Sequence, residues 1–257
     1  MVERQIRLPR IDFNCDLGEG CGGDAAIVAH ISSASIACGG HAGDDATMRA
    51  TLRLCRLHGV AAGAHPGYAD HEQFGRRELA LSTEAIATLV RTQLARLAAI
   101  AAEEGVRLAH VKPHGALYNL AARDHAVADA IAAAVAAFDP SLILFGLSGS
   151  ALPAAGTAAG LRVAHEVFAE RGYASDGQLL PRGEPGAVVE SLEAAIKQAR
   201  ALATSGTVTS VDGHRLNLRA DTLCLHGDRS DAAAFARALR QALEAAAVRI
   251  LPVGVDA

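Results

Sequence analysis

The chain has 257 residues, of which 51% are hydrophobic and only 4% aromatic, and a formal net charge of −4. That length is compatible with one α/β barrel, and the lack of a basic block argues against nucleic acid as a partner. Five cysteines in no metal-finger spacing read as free thiols of a reducing compartment. Met1 to Arg10 contains no apolar leader, and charges such as Asp129 interrupt the apolar runs. The expectation is a cytoplasmic protein without a membrane partner.

Ile11 to Asp16 alternates as a strand should and runs into a turn with Asp16 and Glu19. A short helix is expected over 24–31 and a second strand over Ala34–Cys38. Asp44 can cap a helix that ends at His58, with Gly59 as its stop. Val60–Ala64 reads as a third strand ending at His65. The polar loop Tyr68–Glu78 is long for a βα connection. Ser82 opens a helix with Ile86, Leu89, Val90, Leu94, Leu97 and Ile100 at helical spacing. A strand from Arg107 then stops near Lys112, because Pro113 cannot donate to a ladder, and a helix follows from Ala116. A further helix is expected from about Asp124 to Phe138. Leu142–Phe145 and Leu161–His165 are the fifth and sixth strands, and Glu184–Thr204 is expected to be helical. Asp212-Gly213 signals a hairpin insertion at about 207–218. Thr222–Leu225 is the seventh core strand, Ser230 caps the last helix, and Val248–Leu251 adds a short final strand. Strands alternating with helices argue for a parallel sheet in a single domain over 1–257.

Parallel strands deliver their carboxyl ends to one face. Those ends carry Asp16, Cys38 with His41, His65, Lys112 with His114, Glu166, and His226 with Asp228. Two chemistries fit. In one, Asp16, His41 and His65 hold a divalent metal. In the other, Asp16 or Glu19 handles a proton, Lys112 and His114 stabilise developing negative charge, and Arg76 or Arg77 holds a substrate carboxylate. Glu166 joins the catalytic candidates. Asn14, His110, Arg171, His226 and Asp228 complete the candidate substrate contacts. Gly146–Ser150 could bind an anion through backbone N–H groups. No cysteine has an evident histidine partner, and no G-x-x-x-x-G-K-[ST] phosphate loop occurs.

Asn14-Cys-Asp-Leu-Gly-Glu19, Ile36-Ala-Cys-Gly39 with His41-Ala-Gly-Asp44, Gly63-Ala-His-Pro66, Phe74-Gly-Arg-Arg77, His110 to Asn119, Glu166-Val-Phe-Ala169 and His226-Gly-Asp228 resemble the successive motifs of the LamB/YcsF family. The resemblance runs from about residue 11 to 251. It implies a distorted seven-stranded (β/α) barrel similar to the glycoside hydrolase/deacetylase group. It also implies ATP-dependent opening of 5-oxo-L-proline to L-glutamate, with two further 5-oxoprolinase subunits, B and C. ATP with magnesium would be used by that complex, a protein-bound divalent metal is a further candidate cofactor, and a homo-oligomer is compatible. Gly40 stands where this family usually has Phe, Ser35 where it has Asn, and Glu170 where it has Asp. The alternatives are a stand-alone metal-dependent deacetylase or amidohydrolase, and a non-catalytic scaffold subunit. A five-membered lactam is an unactivated amide. Phosphorylating its oxygen would make C5 electrophilic enough for attack by water with carboxylate assistance.

Overall fold

The computed structural model describes residues 8–229 and 231–255; the expected cap at Ser230 lies outside them. β1 (Arg10–Leu17) shows how the fold is built. Ile11, Phe13, Cys15 and Leu17 join the main hydrophobic core. Asp12, Asn14 and Asp16, on the opposite face, bond to polar groups of other strands. Alternate strand residues face opposite ways, so one face packs on helices and the other looks into a barrel. The pattern continues through β2 (Ser33–Ala37), β3 (Ala61–His65), β4 (Leu108–Val111), β5 (Ile143–Leu147) and β6 (Arg162–Phe168). The antiparallel hairpin β7 (Thr207–Thr209) and β8 (Arg215–Asn217) stands apart from the main sheet, as its Asp-Gly turn predicts. β9 (Thr222–His226) pairs with both β6 and β1 and closes a barrel of seven parallel strands. β10 (Arg249–Ile250) adds to the amino-terminal end of β1. Beyond it, Val253 packs on the small cluster of Ile143, Phe145 and Ala164.

The helices are α1 (Asp24–Ile27), α2 (Asp45–His58), α3 (Thr83–Glu103), α4 (Gly115–Arg123), α5 (His125–Phe138), α6 (Ala151–Ala158), α7 (Leu192–Ser205) and α8 (Ala232–Ala245). The Asp44 carboxylate accepts from the Thr47 N–H, and Gly59 takes the left-handed conformation that ends α2. Ser82 caps α3 in the same way. By length and apolarity α3 could cross a membrane. In this fold it buries Ile86, Val90, Leu94, Leu97 and Ile100 instead.

Three sequence expectations need correction. α6 lies where no helix is expected. Pro153 and Gly156 obscure its pattern, yet a proline in a first turn costs no helical hydrogen bond. Residues 184–191 are not helical: Pro185 and Gly186 interrupt them, and Val188 bridges back to Arg171. β6 continues to Phe168, so Glu166 lies inside the barrel wall and not beyond it.

Asp12 lies deep in the barrel and was not among the candidates. It accepts from Ser32 Oγ at 2.6 Å, Ser33 Oγ at 2.7 Å and Thr222 Oγ1 at 2.5 Å. Burial raises its pKa from 3.8 to about 6, against the downward pull of those hydroxyls. Between pH 3.8 and about 6 the folded protein therefore holds a proton here that the unfolded chain has released. The stability this provides is full below the unfolded value and is lost as pH rises through about 6. The shift corresponds to about 3 kcal/mol. Asp12→Asn is expected to flatten that decline. Urea midpoints of both proteins across this range check it, and parallel pH curves would contradict it.

Candidate active site

A cavity of about 690 Å³ opens at the carboxyl ends of the strands, with Asp16, Lys112 and Glu166 in its wall. Pro113 ends the ladder and the chain turns directly into α4, which leaves the Lys112 side chain inside the barrel. Its Nζ lies 2.6 Å from Asp16 Oδ1, 3.1 Å from Glu166 Oε1, 3.0 Å from Asn14 Oδ1 and 3.2 Å from Cys224 Sγ. Burial favours the neutral amine, but the surrounding negative charge, led by Asp16, outweighs it and holds the lysine pKa well above its ordinary value. Asp16 is the mirror case. Burial pushes it up, while its contacts with His65 and Lys112 win and keep it well below the carboxylate range. An ammonium between two carboxylates thus borders the cavity. Glu166 Oε2 and Tyr118 Oη, both buried, make no hydrogen bond of normal geometry among the described residues, and both residues line it.

Beside this group lies a cluster of imidazoles. His114 stacks on His41 with ring centroids 3.6 Å apart, and His65 meets both rings edge-on. The loop after β3 folds back over them: the Phe74 carbonyl lies 2.9 Å from His114 Nε2, and the Phe74 ring packs against His41 and His114. Gly75 (φ +63°) permits this closure, since a Cβ there would sit 2.7 Å from that of His41. Glu19 Oε1 is 3.1 Å from His41 Nε2 and 3.5 Å from His114 Nδ1. Burial is the main cause of the pKa shifts here, raising Glu19 to about 9 and lowering His41 to about 2.

The candidates divide accordingly. Asp16, Lys112, His114, Glu166, Arg76, Arg171 and His226 line the cavity. Asn14 lies deeper, donating to Glu166 Oε1 at 2.9 Å and Thr222 Oγ1 at 2.7 Å, so it supports the wall. Glu19 sits among the imidazoles and not at the cavity surface. His110 is buried in the barrel against Phe145 and within 3.3 Å of Ser35 Oγ; it is not a cavity contact. Arg77 turns to Asp70, also away from the cavity. Arg171 Nη2 and Nε donate to the carbonyls of Leu180 and Ala187, so this guanidinium clamps the loop after β6. Asp228 pairs with Arg76, and His226 Nδ1 lies 2.7 Å from Glu170 Oε1. The metal set is also revised. His41 and His65 converge with Glu19 and His114, whereas Asp16, turned to Lys112, groups with Cys224 and His226. The main-chain N–H groups of Ser148 and Ser150, in the expected anion loop, already donate to Glu166 and Leu147 carbonyls.

Arg182, Tyr118 and Phe168 also line the cavity and were not among the candidates. Tyr118 could have been noticed, being one α-helical turn past His114. Arg182 had no signal, because only the fold of the 169–191 segment brings it back over the barrel. Gly40 has a local explanation. The Gln93 carboxamide lies 2.5 Å from where a Cβ would be, and it bonds both the N–H and the carbonyl of Gly67.

A seven-stranded parallel barrel with acid, lysine and imidazole groups at its carboxyl mouth places the chain in the class of (β/α)7-barrel folds. A putative cellobiose-phosphate cleavage protein from Enterococcus faecalis shares this fold, with a TM-score of 0.58 at 11% identity over 95% of this chain and 97% of that one. Within that class the chain belongs to the LamB/YcsF family, which residues 11–256 match. It is 52% identical to the 5-oxoprolinase A-subunit of Symbiobacterium thermophilum, covering 96% of this chain and 97% of the relative. It is 50% identical to the 5-oxoprolinase A-subunit of Bordetella pertussis, covering 92% and 96%. A lactam utilization protein from Thermus thermophilus superposes with a TM-score of 0.88 at 45% identity, covering 94% of this chain and 99% of that structure.

Proposed function

We propose that this chain is the lactam-opening component of an ATP-dependent 5-oxoprolinase, working with subunits B and C on 5-oxo-L-proline. The observation that carries the proposal is Lys112, held between Asp16 and Glu166 in the wall of a cavity whose rim bears Arg76 and Arg182. The names of the relatives supply the substrate class. The chemistry balances as follows. ATP gives its γ-phosphoryl group to the lactam oxygen. One water adds at C5, the C5–N bond breaks, and the nitrogen takes a proton. The resulting acyl phosphate reacts with a second water to give glutamate and phosphate. Lys112 is placed to stabilise negative charge developing on the C5 oxygens, and Asp16, ionised and 2.6 Å from it, to take a proton from the attacking water. The sequence has no phosphate loop, so phosphorylation and its magnesium are assigned to the partner subunits.

The substrate carboxylate is assigned to Arg182, which is exposed at the rim and makes no ion pair among the described residues. Arg76 and Arg123 are already paired, with Asp228 and Glu78. Calorimetry of the isolated chain with 5-oxo-L-proline is expected to show saturable binding, weakened about tenfold to a hundredfold in Arg182→Ala, as the loss of a charged hydrogen bond implies. Unchanged affinity in the variant would remove Arg182 from the assignment. No saturable binding by the wild type would remove the cavity as the lactam site.

A further inference from the structure

The hydrogen bonds around the imidazole cluster fix where its protons lie. His65 Nδ1 is 2.7 Å from the Lys112 carbonyl, and His114 Nε2 is 2.9 Å from the Phe74 carbonyl. A carbonyl only accepts, so both of these nitrogens carry hydrogen. In neutral rings the lone pairs then fall on His65 Nε2 and His114 Nδ1. Those two atoms face each other at 2.9 Å. Two lone pairs at that separation repel unless one ring takes up a second proton or a metal cation lies beside both. The neighbouring donors complete the picture: Glu19 Oε1 is 3.5 Å from His114 Nδ1 and 3.1 Å from His41 Nε2. All four groups offer ligand atoms within 4.8 Å of one another. A tetrahedral ion with bonds of about 2.0–2.2 Å sets its ligands about 3.3–3.6 Å apart, near these spacings.

We propose that His65, His114 and Glu19 form a resident site for a divalent transition cation of the zinc class, set into the wall of the cavity, with His41 stacked on His114 and bonded to Glu19 as the partner that orients both. Two imidazoles and one carboxylate, with a fourth position open, suit zinc or cobalt better than magnesium or calcium, which prefer all-oxygen shells. The two carbonyl contacts are what metal-bound histidines ordinarily have on their second nitrogen. His41 Nδ1 is buried without a partner among the described residues, so that ring is held by its Nε2 side and by stacking on His114. His65 and His114 reach the cavity wall, while His41 and Glu19 lie behind them. Asp16 Oδ2 stands 3.4 Å from His65 Nε2. The cation would therefore fix the wall next to Asp16 without taking Asp16 as a ligand. The proposal concerns this chain's metal content and stands independently of the lactam assignment.

The test is a cobalt titration of the full chain after removal of bound metal with a chelator. One equivalent of Co²⁺ is expected to give visible d–d bands of tetrahedral intensity and to raise the Tm. A near-ultraviolet thiolate charge-transfer band is not expected, because no cysteine belongs to this set. Glu19→Gln and His41→Gln, each checked for folding by circular dichroism, are expected to weaken binding at least about tenfold, the loss that even outer partners of a metal site produce. Folded wild-type protein that takes up no stoichiometric Co²⁺ would overturn the proposal and leave a proton shared between His65 and His114. A thiolate band would also overturn it, by moving the ion to the Asp16, Cys224 and His226 group. Binding unchanged in both variants would do the same.

Discussion

Lys112→Ala is expected to lower glutamate formation by the assembled enzyme at least about a hundredfold, the usual scale for removing a donor that stabilises charge in a transition state. The substitution also has a structural effect. Lys112 Nζ is the cation nearest to Asp16 Oδ1 and to Glu166 Oε1, both buried. Removing it leaves two buried carboxyl groups in the cavity wall without their cation, which costs up to about 3–5 kcal/mol. Activity and stability therefore have to be read separately. Circular dichroism and urea unfolding give the folded fraction, and turnover is compared per folded molecule. Near-normal turnover in folded Lys112→Ala complex would remove the lysine from the chemistry. A folded, unstable and inactive variant is the expected outcome.

The barrel was legible because its strands keep period two. In β1 the apolar set Ile11, Phe13, Cys15 and Leu17 alternates with Asp12, Asn14 and Asp16, and the two sets face the two environments that a barrel wall provides. The caps of α2 and α3 were legible for the same local reason, a side-chain oxygen placed where backbone N–H groups need it. Lys112 was legible from Pro113, which fixes where the strand ends. What was hidden depends on long-range closure. Glu19 reads from sequence as a proton handler beside Asp16. The turn after β1 instead carries it to His41, which lies in the turn after β2, and to His114, which follows β4. Arg76 and Arg77 are adjacent in sequence, yet one lines the cavity and the other binds Asp70. Asp12 was hidden because three hydroxyls from two other segments satisfy it. None of these depends on a periodic pattern, so only the three-dimensional arrangement reveals them.

The second large effect concerns the chain by itself. The cavity lies within one barrel, so the isolated chain is expected to hold 5-oxo-L-proline. The lactam remains an unactivated amide until its oxygen is phosphorylated, and no phosphate loop is present in this sequence to do so. The direct measurement follows glutamate and inorganic phosphate from the purified chain alone, with ATP and magnesium, and again after adding subunits B and C. The chain alone is expected to release no glutamate with or without ATP, and the three subunits together to release glutamate and phosphate in equal amounts. Rapid ATP-independent glutamate release by the chain alone would contradict the multisubunit reading and make the protein a simple amidohydrolase.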